Sequence, residues 1–268
     1  MRVICPICKQ ELIHLDRRYA CKNGHSFDQA KQGYTNLLVG HSQKEHGDAK
    51  DMLAARLHIQ DKGYYQGLAK SLLDITRDLP VKEAIDIGCG VGYYTNYLSD
   101  QLALDMIGID ISKEALKIAS RKGKKVAYFV ASNKDLPIAS DAVDLIVSVF
   151  SPVYLEEVRR ILRHGQYLLV VSPNTGHLME LKKVIYDEII AKEEERNYIV
   201  EDDFTLIKQV NIRENKRFFE EDLKHLFLMT PHYWTSSISG KERLAGLKEL
   251  RITLDMNVRL YQFGGKHD

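Results

Sequence analysis

Four residues with metal-binding chemistry open the chain: Cys5, Cys8, Cys21 and His25, spaced C-x2-C-x12-C-x3-H. A two-residue gap lets one tight turn present both thiolates to the same ion, and a second turn adds the third thiolate and the imidazole. Four protein ligands close a tetrahedral shell, so the site expected is structural Zn2+ and not a catalytic metal. A segment this short cannot bury enough apolar surface to fold alone, and metal must supply the folding energy. The competing reading is scattered thiols and a solvated imidazole. Three of the four cysteines lie within residues 1–21, and such crowding in a reducing compartment signals metal before disulfide.

A second constellation stands at Asp86-Ile87-Gly88-Cys89-Gly90-Val91-Gly92. Glycines there allow positive φ and close approach of a ligand to the backbone. Another carboxylate, Asp110, ends the next apolar run, where an α/β sheet sets an acid against a ribose hydroxyl pair. A dinucleotide fingerprint is G-x-G-x-x-G; here the third glycine is displaced to give G-x-G-x-G, followed by Tyr93. S-adenosylmethionine carries no pyrophosphate, and its ammonium and carboxylate are expected to meet backbone groups and water held on a carboxylate such as Asp86. The spacing and the two acids favour S-adenosylmethionine over a nicotinamide cofactor or an inert turn. Ser132 or Asn133, after a later strand, could bond the adenine edge; the alternative is an ordinary strand-to-loop turn. Cys89 reads as a small residue in a tight turn.

These residues need a scaffold. Ala84–Ile87, Met106–Ile109, Val126–Val130, Val143–Val149 and Tyr167–Val171, the last after a Gly165 turn, read as buried strands. Helices are expected near Tyr93–Leu102, after an N-cap at Ser112, and over Tyr154–Leu162. Strand and helix alternate at βαβ spacing, which predicts an α/β, mostly parallel doubly wound sheet. Upstream, Asp51–Arg77 is helical with a break at Gly63, and Gly40–Lys50 reads as a polar linker. Downstream, a long helix is expected from about Gly176 to Ile190, then strands at Phe204–Ile212 and Ile252–Phe263.

The 268 residues carry a formal net charge of +1, so global charge does not point to nucleic acid. Basic residues cluster locally, at Arg17, Arg18, Lys22 and Lys31 and at Arg213, Lys216 and Arg217, as candidate phosphate contacts. Glu193–Glu195 with Glu201, Asp202 and Asp203 reads as an exposed acidic loop, and the other histidines, His14, His41, His46 and His58 among them, as surface residues. No apolar run is long enough to span a bilayer, and no export signal is visible at Met1–Pro6. A cytoplasmic location without membrane contact is the expectation.

With both motifs in hand, the chain resembles the RlmA-type 23S rRNA (guanine-N1)-methyltransferases. The likeness runs from Cys5-Pro6 through Phe27-Asp28, Gly33-Tyr34, Asn36-Leu37-Leu38, Gly47-Asp48, Ala55-Arg56, Tyr65-Gln66 and Asp86–Thr95 to His177–Lys182, Met229-Thr230-Pro231 and Trp234. The resemblance implies a Rossmann-like S-adenosylmethionine-dependent methyltransferase with a small N-terminal zinc-binding module. It implies methylation of N1 of one guanine in a 23S rRNA hairpin near the peptide exit tunnel, and pairing as a homodimer that cradles RNA between zinc modules. One branch of the family is linked to macrolide tolerance. The cofactor would be met by Tyr65, by Gly88, Gly90, Val91 and Gly92 of the turn and by His177, beside Asp86, Asp110 and Asn133. The segments expected are 1–38 for the zinc module and RNA recognition, 39–78 for a linker and helices, and 79–268 for the methyltransferase domain. The loop Phe150-Ser151-Pro152-Val153-Tyr154 keeps the family's proline with other flanking residues, so no catalytic role is carried over to it.

Methyl transfer to guanine N1 needs the base unstacked against an aromatic or apolar wall, for which Tyr65, Phe150 and Tyr154 are candidates. His177 and Glu180 lie one helical turn apart and read either as cofactor contacts or as a helix N-terminal pair. No residue stands out as the acceptor of the N1 proton. Two other functions fit the same fold: a small-molecule methyltransferase, and an RNA-binding module that retains a cofactor pocket without catalysis.

Overall fold

The computed structural model describes residues 1–40, 49–123, 125–189, 199 and 202–264. β1 (Ile13–Leu15), β2 (Arg18–Ala20) and β3 (Ser26–Asp28) form a small antiparallel sheet around the cysteine turns. The large sheet draws on β4 (Tyr34–Asn36), β5 (Glu83–Ile87), β6 (Asp105–Asp110), β7 (Ala127–Val130), β8 (Val143–Val149), β9 (Leu162–Pro173), β10 (Phe204–Phe219) and β11 (Glu249–Phe263). Its order is β10-β11-β9-β8-β5-β6-β7-β4. From β9 to β4 all pairs are parallel, while β11 runs antiparallel to both β9 and β10. β5 pairs with β6 on one side and β8 on the other. The strand order reverses there, and a crevice opens at the carboxyl ends of the strands.

Each face of the sheet has its own core. One face packs β5, β6 and β8 against α1 (Lys50–Asp61), α2 (Gln66–Thr76), α3 (Tyr93–Gln101) and α7 (Glu220–Leu228), through Ile59, Leu68, Leu72, Leu98 and Leu226, all fully buried. The other face joins α5 (Leu155–Ile161) and the N-terminal segment, since Val3, Cys5, Leu12 and Cys21 share a core with Ile85, Ile107 and Phe129. Ile4 N–H donates to Pro137 O at 2.8 Å, and the Tyr19 ring meets Phe129 edge-on at 5.0 Å. Residues 34–36 do not stay with the small sheet: β4 is the edge strand beside β7.

The central strands appear where apolar runs predict them. Ser112 caps α4 (Lys113–Lys122), its hydroxyl accepting from Ala115 N–H at 3.2 Å. Three later expectations are corrected. β9 begins at Leu162, directly after α5, and takes Gly165 (φ +80) into the strand, because β11 and its Gln262 side chain bond that edge. The helix expected to reach Ile190 is α6 (Met179–Ile185) alone. Leu178 enters it at φ +55 with its N–H on Thr253 O, and Tyr186 leaves in extended conformation, its hydroxyl tied to His232 and Thr235. β10 runs on past Ile212 to Phe219, its exposed and half-buried residues alternating, as suits a charged edge strand. Residues 41–48 of the expected linker, Glu193–Glu195 and Glu201 lie outside the described residues.

Tyr128 on β7 supports the glycine turn from below. Its ring occupies the space left by absent side chains at Gly92 and Gly108, and its hydroxyl donates to Asn96 Oδ1. A Cβ at Gly108 would lie 2.6 Å from Tyr128 Cδ1 and 3.1 Å from Cys89 Sγ. Gly108→Ala is therefore expected to destabilise the fold by about 1–3 kcal/mol through overpacking, read as a lower denaturation midpoint; an unchanged midpoint would show that Tyr128 yields freely.

Candidate cofactor site and metal centre

Two turns assemble the metal centre. Cys5 and Cys8 share a loop closed by Lys9 N–H on Cys5 O and Cys5 N–H on Gln10 O. Cys21 and His25 share another, closed by Cys21 N–H on His25 O, with Gly24 at φ +85. Cys8 Sγ and Cys21 Sγ are 3.7 Å apart, and His25 Nδ1 is 3.5 Å from both Cys5 Sγ and Cys21 Sγ. Metal bonds of about 2.3 Å to sulfur and 2.0 Å to nitrogen give tetrahedron edges of roughly 3.8 and 3.5 Å. The four atoms already have the dimensions of a zinc shell, and their chemistry fits that ion. Among the described residues a second group, His58, Glu221 and His225, also converges. There the two rings stack at 4.1 Å and 30°, so their in-plane lone pairs do not point to a common ion. His58 is moreover half-buried and partnered: Nε2 meets the buried Asp222 carboxylate at 2.6 Å, which also accepts from the Tyr64 hydroxyl at 2.7 Å.

At the carboxyl ends of β5, β6 and β8 lies a cavity of about 1380 Å³. Gly88 (φ +72) and Gly90 (φ +55) form its floor. A Cβ at Gly88 would lie 2.6 Å from Ser151 Cβ, whereas one at Gly90 would meet only Arg56 Nη1, at 3.4 Å. Asp110 braces the turn: one carboxylate oxygen accepts from Gly90 N–H at 2.8 Å and the other from Ser112 N–H at 2.7 Å. Asp86, 2% exposed, accepts from the Thr95 hydroxyl at 2.6 Å through Oδ2. Its Oδ1 is buried without a partner. Burial pushes the Asp86 carboxyl up to about 7; the Thr95 hydrogen bond opposes this and the Asp110 charge adds to it.

The structure gathers most residues named from sequence. Tyr65, Asp86, Gly88, Gly90, Val91, Asp110, Asn133 and His177 all line this cavity. Gly92 is set back from the lining. It starts α3 at φ +75, and a Cβ there would lie 2.7 Å from the Tyr128 hydroxyl and 2.8 Å from Ala119 Cβ, so its role is packing. Four of the turn's amides already have acceptors within the protein. Gly88 and Cys89 N–H both donate to Ile109 O, Gly90 N–H to Asp110 and Gly92 N–H to Cys89 O. Asn133 Nδ2 is engaged by Ser151 Oγ at 3.2 Å and Pro152 O at 3.4 Å. Glu180 turns to β11, accepting from Thr253 N–H and hydroxyl at 2.8 Å each, and does not line the cavity.

Opposite the turn, His177 Nδ1 accepts from Asp255 N–H at 3.1 Å, which places the ring proton on Nε2. Burial, aided by the Lys182 charge, lowers its pKa to about 4, so it is neutral at pH 7. Phe150 stands at φ +55 at the end of β8, its ring 6.0 Å from His177 and 6.4 Å from Tyr65. A non-glycine residue held there stores backbone strain and points to the aromatic wall as a working surface. Tyr154 completes it, with Lys134 Nζ 5.5 Å from its ring centre. Arg56, Thr95 and Lys182 carried no role in the sequence reading; they come from helices whose spacing says nothing about what they face.

The fit to an adenosyl sulfonium donor rests on the cavity's own chemistry: an unpartnered buried carboxylate oxygen for a cation, a carboxylate braced at the end of β6 for a ribose edge, and an open glycine between them. Two outcomes follow. Cys8→Ser is expected to lose the single zinc ion that the wild type carries, measured by metal analysis; wild-type protein without metal would dismiss the centre. Because Asp86 in the free protein is protonated below about 7 and the ionised form attracts an ammonium, adenosylhomocysteine affinity should rise with pH through that value and flatten in Asp86→Asn. A wild-type profile with no such slope would remove Asp86 from cofactor contact.

Comparison with known proteins covers both sites. The profile described as "RlmA, N-terminal" matches residues 3–44, and that of a "Methyltransferase domain" matches residues 85–170. A 23S rRNA (guanine(748)-N(1))-methyltransferase of Streptomyces fradiae is 31% identical over 95% of this chain and 95% of its own. A relative from Micromonospora griseorubida, named for guanine-N1 methylation of 23S rRNA, is 34% identical over 66% of this chain and 67% of its own. By contrast, a malonyl-[acyl-carrier protein] O-methyltransferase of Hamiltonella defensa, 30% identical, matches 48% of this chain. With a zinc ribbon ahead of the sheet and 31% identity to such an enzyme over 95% of the chain, the chain belongs to the RlmA-type 23S rRNA (guanine-N1)-methyltransferases.

Proposed function

We propose that this protein transfers a methyl group from S-adenosylmethionine to N1 of a specific guanine in 23S rRNA. The cofactor supplies a methyl group on a sulfonium centre. The single observation that carries its assignment is the buried carboxylate oxygen of Asp86, unpartnered beside the open Gly90. The substrate assignment is supported by relatedness through the zinc module as well as the sheet, since the match to an acyl-carrier enzyme is limited to about half of the chain.

The chain's own contribution is alignment, because the reactive group arrives with the cofactor. Phe150, Tyr65 and Tyr154 offer the aromatic wall for an unstacked base. His177, neutral with its proton on Nε2, offers a donor and not a base. The exposed Arg17, Arg18, Lys22 and Lys31 on the small sheet and its turns suit phosphate contacts. Arg213, Lys216 and Arg217 suit them less, being engaged with Asp255, Glu214 and Glu249. We further assign the target to a hairpin near the peptide exit tunnel and the working form to a cytoplasmic homodimer, with residues 1–38 as its RNA-recognition part, 39–78 as linker and helices, and 79–268 as its methyltransferase domain. Among the described residues no helix is long and apolar enough to cross a membrane.

Incubation with labelled S-adenosylmethionine and unmodified 23S rRNA should label the RNA and create one reverse-transcription stop at a guanine, because an N1 methyl blocks the pairing edge. Label confined to small metabolites would favour the small-molecule enzyme. Cofactor uptake without transfer to any acceptor would favour the non-catalytic module.

A further inference from the structure

The glycine turn has little left to offer an anion. Four of its amides are spent inside the protein, on Ile109, Asp110 and Cys89, and Asp86 and Asp110 add negative charge beside it. An amino-acid moiety nevertheless brings a carboxylate next to its ammonium, and that carboxylate needs a cation. Among the described residues three lysine and arginine side chains line the cavity: Arg56, Lys134 and Lys182. Lys134 stands over the Tyr154 ring. Lys182 lies on α6, where its charge acts on His177 and His232. Among the described residues Arg56 is the one that reaches the turn, its Nη1 3.4 Å from where a Cβ at Gly90 would stand. Its charge also acts on the buried Tyr65 and Tyr94 hydroxyls that flank the same space. Met52, Arg56 and Gln60 follow one another at four-residue intervals along α1, so a single helix face forms this wall.

We propose that Arg56 is a cofactor-binding residue outside the glycine motif, whose guanidinium holds the carboxylate of the methionine end, across from the Asp86 oxygen that takes the ammonium. A planar fork of N–H donors matches a carboxylate in two parallel hydrogen bonds, which a lysine cannot reproduce. With no side chain at Gly90, the Arg56 guanidinium faces the turn's backbone directly. The proposal rests on the cofactor reading above and extends it to a residue on a helix distant in sequence from the motif.

Calorimetry with two ligands tests it. Adenosylhomocysteine carries the amino-acid end; methylthioadenosine keeps the adenosine and sulfur without it. Arg56→Gln is expected to weaken adenosylhomocysteine about 10- to 100-fold, the range for losing a charge-assisted hydrogen bond, and to leave methylthioadenosine unchanged. Arg56→Lys should fall between, and it gives the same two-ligand comparison if the glutamine variant folds poorly. Equal losses for both ligands, or loss for neither, would overturn the assignment and leave Arg56 a structural residue. Wild-type protein that takes up neither ligand would instead overturn the cofactor reading itself, a result distinct from a failure of Arg56 alone.

Discussion

The carboxylate of Asp110 is the joint on which the site turns. One oxygen holds the amide of Gly90 and the other the amide of Ser112, so a single side chain fixes the turn after β5, the end of β6 and the start of α4. Charge-assisted hydrogen bonds of this kind are about twice as strong as neutral ones. With Tyr128 filling the space beneath Gly92 and Gly108, the floor of the cavity is set before any ligand arrives. Such preorganisation matters for a group transfer in which the protein contributes position and not reactive atoms.

What could be learned from sequence follows from how local each signal is. The metal ligands were legible because two tight turns impose their own spacing on the four ligand atoms. Asp86, Gly90 and Asp110 were legible because a strand–turn–helix unit and the strand after it place them within one supersecondary motif. Val143–Val149 came out with its observed bounds, since a strand buried on both faces is almost wholly apolar. Gly92 is ambiguous in the sequence because a glycine needed for packing has the same letter as one needed by a ligand. His58 was missed because its partner Asp222 lies 164 residues away, and the α6 helix was drawn too long because Leu178 and Tyr186 take their conformations from β11, His232 and Thr235, which helical periodicity does not register.

The N-terminal segment illustrates the same distinction at the scale of modules. Its small sheet is local, yet its apolar side is completed by Ile85, Ile107 and Phe129 of the large sheet, and residues 34–36 lengthen that sheet. The zinc shell therefore organises a part that is also an outer layer of the catalytic body. Basic side chains displayed on such a part keep a fixed bearing toward the cavity, where a bead on a loose tether would not.

Strand β11 lies between β9 and β10, and it is threaded there from late in the chain. Its backbone holds Asn174, His177 and Leu178 through Asp255 and Thr253. During synthesis the zinc turns and the first parallel strands can come together while the ribosome is still extending the polypeptide, but the seat of His177 does not exist until residues 253–263 have cleared the tunnel. Such long-range pairing is slow relative to local structure. The wall that seats His177 is thus completed by one late insertion, after the strands beneath the cavity floor have found their partners.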